Sequence, residues 1–192
     1  DDETVNQTLS MSYQNPGISV HGSLPCTVWC ARQAMNIKQY GNEYAKDLDE
    51  RREVSKDMLK RFCILASAAI EGGGHISFEW PKGCSGWLQK DLISLIQKYG
   101  LVEALPEGCR CGMKNSKGEP ILKPWRFVTS SRWLADALNA LKCNHEKDFK
   151  HGELQGGHDA ARTAEYPPKL VRTYFSALFG AHTHAPALPC TP

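Results

Sequence analysis

Two residues that could take part in catalysis lie where predicted strands end. Cys26 follows Pro25 shortly after the β-rich run 18–20, and Glu79 follows the run 75–78. Proline ends an extended strand, so the thiol is expected in a loop where backbone amides can stabilise its thiolate form. A carboxyl group at the end of a nearby strand can act as the acid that assists such a nucleophile. The alternative for Cys26 is a buried structural cysteine.

A second group of residues has the chemistry of a metal site. Cys143 and His145 are followed by His151, and Cys109 and Cys111 lie upstream. Thiolate sulfur and imidazole nitrogen are the donors that tetrahedral zinc prefers. The expected ligand set is Cys143, His145 and His151 with either Cys109 or Cys111, in a structural role, because four protein ligands leave no position for substrate. The alternative is that the two histidines are solvated residues of a charged loop.

The segments between these residues have helical or strand patterns that must position them. Apolar residues at three-, four- and seven-residue steps predict helices in four segments: 43–70, 87–99, 133–141 and 168–179. Strands are predicted in three segments: 18–20, 75–78 and 125–128. Glycines predict where three of the helices end: 72–74, Gly100 and Gly180.

Strands that alternate with helices predict an α/β fold with a mostly parallel sheet, in which sites collect outside the carboxyl ends of the strands. The 192 residues are enough for one hydrophobic core. One domain is therefore predicted over residues 1–180. The proline-containing residues 181–192 are expected to form a loosely ordered arm.

The composition restricts the partners and the compartment. With 23 basic and 21 acidic residues the net charge is only +2, so any DNA contact must come from a local patch. No apolar run approaches the roughly 20 residues of a membrane span, and the acidic start at Asp1 is unlike a signal peptide. Eight cysteines in a chain too large to need disulfide staples favour a reducing intracellular compartment, the nucleus or the cytoplasm, with an organelle as the open alternative.

Four segments are similar to motifs of one enzyme family. Pro25-Cys26-Thr27, followed by Trp29-Cys30, resembles the proline-cysteine nucleophile loop of DNA cytosine-5 methyltransferases. The other three segments resemble, in order, that family's glutamate motif, a basic stretch and its closing segment: Phe78-Glu79-Trp80-Pro81, Lys123 to Val128, and Ala164 to Leu170. The resemblance covers about residues 18–179 and is nearest to divergent methylase-like segments in retroelement polyproteins of protists.

This resemblance implies methyl transfer to a cytosine of DNA that is flipped out of the helix. Cys26 would be the nucleophile and Glu79 the assisting acid, while Lys123, Arg126 and Trp29 would contact the substrate. Related segments also carry a cysteine-x-histidine followed by another histidine, which implies the zinc ligands named above.

The resemblance further implies a Rossmann-like three-layer fold and S-adenosylmethionine as the methyl donor. An aromatic-x-Gly-x-Gly cofactor loop should precede Pro25, where only Gly17 and Gly22 occur. We therefore expect a domain that is incomplete at its N-terminus and binds this cofactor weakly or not at all.

Two rival functions remain open beside the methyltransferase. One is a noncatalytic, zinc-stabilised structural or protein-interaction subunit that retains the fold within a larger assembly. The other is a thiol enzyme that uses Cys26 with His21 or His75 as base, although neither histidine has an evident orienting carboxylate. The first rival predicts that the fold and partner binding survive Cys26→Ser.

Overall fold

The computed structural model describes residues 2–154 and 163–183, with only the backbone for 181–183. Five helices lie in these ranges: α1 Asp2–Gln14, α2 Arg32–Glu71, α3 Lys90–Tyr99, α4 Arg132–Asn139 and α5 Pro168–Thr183. The strands are β1 Val20–Gly22, β2 Ile76–Pro81, β3 Val102–Ala104 and β4 Trp125–Thr129. Short 3-10 helices occupy Thr27–Trp29, Ser85–Leu88 and Gly108–Cys111. None of the helices in this part of the chain is long and apolar enough to cross a membrane.

The chain separates into two compact units. The first comprises Asp1–Glu103 and Trp125–Ser131, and the second comprises Ala104–Pro124 and Arg132–Pro192. The Cys26 and Glu79 positions fall in the first unit, and the predicted metal ligands all fall in the second.

The sheet is mixed and has the strand order β1-β2-β4-β3. β1 runs parallel to β2, with Val20 opposite Ile76. β4 runs antiparallel to β2, with Phe127 opposite Glu79. The predicted α/β class is confirmed at this level. The mostly parallel arrangement is not confirmed, because the central pair β2 and β4 is antiparallel.

Aromatic side chains on one face of β2 build the core of the first unit. Phe78 and Trp80 alternate with polar neighbours along the strand, and both are buried. The Phe78 ring lies 4.9 Å from that of Phe62 on α2 and 5.7 Å from that of Trp87. Gly22 on β1 lets these rings approach, since a Cβ there would lie 2.4 Å from the Phe62 ring.

Helix α2 starts earlier than the apolar pattern predicts, and its path breaks at Gly41. The φ of Gly41 is 76°, which favours glycine and separates residues 32–40 from the rest of the helix. Tyr44 holds the first part in place, because its hydroxyl donates to Gln33 at 2.6 Å and accepts from Asn36 at 3.0 Å. The predicted glycine cap of α3 is confirmed, since Gly100 is left-handed at φ 59°.

The second unit packs α4 against α5. Its buried helix residues are Leu134, Ala135 and Leu138 on α4 and Leu170 and Leu178 on α5. The predicted end of α5 at Gly180 is wrong, because the helix continues to Thr183. A helical glycine costs only about 1 kcal/mol relative to alanine, which does not force a helix to end. Of the predicted arm, residues 181–183 are helical and 184–192 lie outside the described residues.

Candidate metal centre and the Cys26–Glu79 region

Two short segments of the second unit supply the thiols of the candidate metal centre. Cys109 lies in the 3-10 helix Gly108–Cys111, and Cys143 follows α4. The backbone N–H of Glu107 donates to the carbonyl of Leu141 at 3.0 Å. The backbone N–H of Cys143 donates to Oε2 of Glu107 at 2.6 Å. These two hydrogen bonds hold the cysteine segments side by side.

A turn after Cys143 brings two imidazoles to the same place. The N–H of Phe149 donates to the carbonyl of Glu146 at 3.0 Å, which turns the chain back. The Phe149 ring stacks on His145 with a centroid distance of 4.0 Å, and the His145 and His151 rings meet edge to face at 5.2 Å. Both imidazoles thereby lie beside the Cys143 thiol.

The chain just after His151 is anchored to a neighbouring loop. The N–H of Gly152 donates to the carbonyl of Pro120 at 2.8 Å, and Nδ2 of Asn115 donates to the carbonyl of Glu153 at 3.2 Å. The approach is so close that a Cβ on Gly152 would lie 2.6 Å from Nδ2 of Asn115. A glycine here therefore lets the backbone carry His151 towards the cysteines.

The four predicted ligands converge. One ligand atom from each of Cys109, Cys143, His145 and His151 lies within 4.8 Å of every other. Sγ of Cys143 is 3.1 Å from Nδ1 of His145 and 3.4 Å from Nε2 of His151. A tetrahedral zinc with Zn–S near 2.3 Å and Zn–N near 2.0 Å places sulfur and nitrogen about 3.5 Å apart. The residues thus fit a zinc ion in donor type, number and spacing, with Cys109 rather than Cys111 as the second thiol.

The Cys109 thiol of this centre is held as a neutral group. The pKa of Cys109 is raised to about 12, mainly by burial and in part by its interaction with the Cys143 thiol. Metal ligation requires the thiolate form, so ion binding would displace thiol protons.

The Cys26 loop lies against the end of β2 in the first unit. The N–H of Trp29 donates to the carbonyl of Cys26 at 2.9 Å, which closes the turn that carries this half-buried thiol. The indole N–H of Trp80 donates to the carbonyl of Leu24 at 2.7 Å. Glu79 is buried and accepts a hydrogen bond from the hydroxyl of Ser23 at 2.9 Å.

A further thiol, Cys84, lies among these residues. Its pKa is raised to about 12, mainly by burial and further by its neighbours Cys26, Cys30 and Glu79. The hydroxyl of the next residue, Ser85, donates to the carbonyl of Trp29 at 2.9 Å and so fixes this segment to the Cys26 loop. No spacing or motif around Cys84 distinguishes it in the sequence, and only the tertiary contacts place it here.

Trp29, predicted to contact substrate, is a core residue. The residue is only 6% exposed, and its indole N–H donates to the hydroxyl of Ser55 at 2.8 Å. The guanidinium of Arg52 lies 5.5 Å from the ring centroid. Its indole therefore packs inside the first unit.

Arg126 and Lys123, the two basic residues predicted to contact substrate, each bind partners in their own unit. The Arg126 guanidinium lies 4.4 Å from the Trp87 ring centroid, and its Nε is 2.5 Å from Oε2 of Glu103. The ammonium of Lys123 donates to the carbonyl of Thr163.

The candidate bases of the thiol-enzyme hypothesis lie beside serine hydroxyls. Nδ1 of His21 is 2.7 Å from the hydroxyl oxygen of Ser77, and Nδ1 of His75 is 3.4 Å from that of Ser130. These contacts give each imidazole a hydroxyl neighbour and lend no support to a pairing with Cys26.

Comparison of the chain with family models, with curated proteins and with solved structures found no significant match. The fold and the site define a mixed α/β protein with a Cys2His2 cluster that can hold a metal ion. The likeness to DNA cytosine-5 methyltransferases rests on the sequence motifs alone.

Proposed function

We propose that this chain is a noncatalytic, zinc-stabilised structural or protein-interaction module that works within a larger assembly. The observation that carries the proposal is the convergence of Cys109, Cys143, His145 and His151 within 4.8 Å. Two thiolates and two imidazoles form a closed tetrahedral set, whereas a catalytic zinc keeps one position open for water or substrate. The ion therefore has a structural role.

The ion would stabilise a part of the second unit that has few apolar contacts of its own. Residues 144–150 are all exposed and contain neither helix nor strand. A ligand that binds only the folded state stabilises it by about 4 kcal/mol at a free concentration 1,000 times its Kd. Zinc bound by these four side chains would thus supply the free energy that keeps this segment folded, which burial of apolar side chains does not supply.

The thiol ligands also support the proposed compartment. All seven cysteines in residues 2–154 are free thiols. Zinc thiolates persist where glutathione and thioredoxin keep cysteines reduced, so the module is proposed to act in the nucleus or the cytoplasm.

Elemental analysis of the purified chain tests the proposal. We expect one zinc per chain after dialysis, and cobalt substitution should give the spectrum of a tetrahedral thiolate-imidazole centre. Cys143→Ser and His151→Ala should lose the metal, whereas Cys63→Ser, a change of a half-buried thiol in the first unit, should retain it. A folded wild-type chain that takes up no zinc even when zinc is added would refute the proposal.

Methyl transfer to DNA cytosine is a second candidate, favoured by one observation. Glu79, which the resemblance pairs with Cys26, accepts a hydrogen bond from Ser23, three residues before Cys26. A nucleophilic thiol and an assisting acid must lie close together for attack on the base. The burial of Glu79 and its bond to Ser23 give it a fixed position beside the loop.

S-adenosylmethionine does not fit the residues that precede Pro25. Gly22 makes room for the Phe62 ring, and Gly17 lies in the turn after α1 with φ 85°. Neither forms part of an aromatic-x-Gly-x-Gly loop, and the antiparallel pairing of β2 with β4 counts against a Rossmann-like, mostly parallel sheet. Calorimetric titration with S-adenosylmethionine tests this candidate. Binding at micromolar concentration would support it, and no binding by a folded sample would count against methyl transfer by this chain alone.

A further inference from the structure

The two thiol ligands of the candidate metal centre are close neighbours of each other. The Sγ atoms of Cys109 and Cys143 lie within 4.8 Å of each other. Glu107 and Leu141, each two residues before one of these cysteines, are joined by a backbone hydrogen bond of 3.0 Å. A disulfide requires sulfur atoms about 2.05 Å apart, so the two half-buried side chains must rotate towards each other to form it.

We propose that the centre is an oxidation-sensitive switch in which peroxide joins Cys109 to Cys143 in a disulfide and so releases the zinc ion. This inference rests on the proposed zinc-binding function. It adds a mode of regulation to the same site.

The chemistry balances with peroxide as the oxidant. One thiolate attacks the peroxide O–O bond, which leaves a sulfenic acid on that cysteine and expels hydroxide. The second thiolate attacks the sulfenic sulfur, forms the S–S bond and expels a second hydroxide. Two protons convert the two hydroxides to water. The two sulfurs lose two electrons in total, and the peroxide gains them.

The disulfide would loosen only part of the centre. The new bond would keep the Gly108–Cys111 helix joined to the chain that follows α4. The histidine arm, defined as residues 144–151, would lose its metal contact, because two imidazoles without the thiolates would not hold the ion. The anchors at its two ends, the bonds of Cys143 to Glu107 and of Gly152 to Pro120, do not involve the ion. Zinc release therefore frees the arm between fixed ends.

Cys111 is the nearest competing thiol in sequence. It lies two residues from Cys109, but it is only 4% exposed and is not part of the converging ligand group. Replacing it should leave the switch intact. Cys111→Ala is therefore the matched control within the second unit, and Cys63→Ser is the control in the first.

The experiment uses the full chain loaded with zinc and treated with one equivalent of hydrogen peroxide. A chromogenic chelator reads zinc release, and mass spectrometry of peptides maps the disulfides. Limited trypsin digestion reads the arm through its exposed Lys147 and Lys150. We expect release of one zinc, a Cys109–Cys143 disulfide, and at least tenfold faster cleavage in the arm. Dithiothreitol with added zinc should reverse all three, and the two control variants should behave like the wild type.

The possible failures are distinguishable. A folded chain that binds no zinc overturns the proposed function and this inference together. A zinc-loaded chain that keeps its metal under peroxide overturns the inference alone. So does zinc release accompanied by sulfinic acids, or by disulfides that do not join Cys109 to Cys143, because the switch requires that specific bond.

Discussion

Glu107 offers the sharpest test of how the metal centre is held. Its carboxylate accepts the N–H of Cys143 at 2.6 Å, a charge-assisted bond that fixes the segment carrying this ligand. Glu107→Ala removes the acceptor, whereas Glu107→Gln keeps an oxygen acceptor and removes only the charge. Loss of an outer partner of a metal ligand typically weakens metal binding roughly 10- to 100-fold, or about 1.4–2.7 kcal/mol. We expect the zinc dissociation constant of Glu107→Ala to rise by a factor in that range. That of Glu107→Gln should stay within about threefold of the wild-type value.

The two substitutions separate opposite effects of the same side chain. The negative charge of Glu107 raises the pKa of the Cys109 thiol and so opposes thiolate formation. The hydrogen bond to Cys143 favours ligation because it positions the segment before metal arrives. Zinc dissociation constants, measured by competition with a chromogenic chelator at fixed pH, compare the variants. Glu146→Ala is the matched control, since it removes the charge of an exposed carboxylate next to His145. Zinc binding by Glu107→Ala that equals or exceeds the wild type would refute the positioning argument.

Three further predictions follow from close contacts and burial. Gly152→Ala should weaken zinc binding and lower the Tm, because its Cβ would lie 2.6 Å from Nδ2 of Asn115; an unchanged zinc affinity would contradict this. Gly22→Ala should cost about 1–3 kcal/mol in urea unfolding by overpacking against Phe62, and a smaller loss would show that the ring can move. Burial raises the pKa of Cys84 from 9.0 to about 12, so its stabilising contribution is lost as pH rises from 9 towards 12. Between pH 7 and pH 10 the free energy of unfolding should fall by about 1.4 kcal/mol less in Cys84→Ala than in the wild type. Equal falls would show that Cys84 does not cause this pH dependence.

The metal ligands could be predicted from the sequence because the chemistry of the donors is local. Cys143, His145 and His151 lie within nine residues, so a single turn can bring them together. The choice between Cys109 and Cys111 could not be made in this way. It depends on which thiol of a 3-10 helix lies near the end of α4, and the convergence of the Cys109 sulfur with the other three ligand atoms decides it.

Strand positions could be predicted more closely than strand directions. Residues 75–78 and 125–128 lie within β2 and β4 apart from one residue, because apolar alternation marks a half-buried strand. The same alternation suits parallel and antiparallel neighbours alike, so the direction of β4 had no local signal. Helix α1 had none either: of its 13 residues only Ser12 is buried, so no apolar stripe marks it.

Strand direction also determines on which face of the sheet two residues of the methyltransferase hypothesis lie. In the antiparallel pair Arg126 lies opposite Trp80, and Phe127 lies opposite Glu79. Paired residues share a face and successive residues alternate, so Arg126 projects to the Trp87 side of the sheet and Glu79 to the other side. A base in contact with Glu79 would therefore lie across the sheet from the Arg126 side chain. The resemblance gives both residues a role at one substrate, whereas this register places their side chains on opposite faces of the sheet. Arg126 on β4 forms an ion pair with Glu103 on β3 and packs on Trp87, so Arg126→Ala should lower the Tm and leave any covalent trapping at Cys26 unchanged. Loss of trapping in a variant with wild-type stability would show that the two residues share a substrate after all.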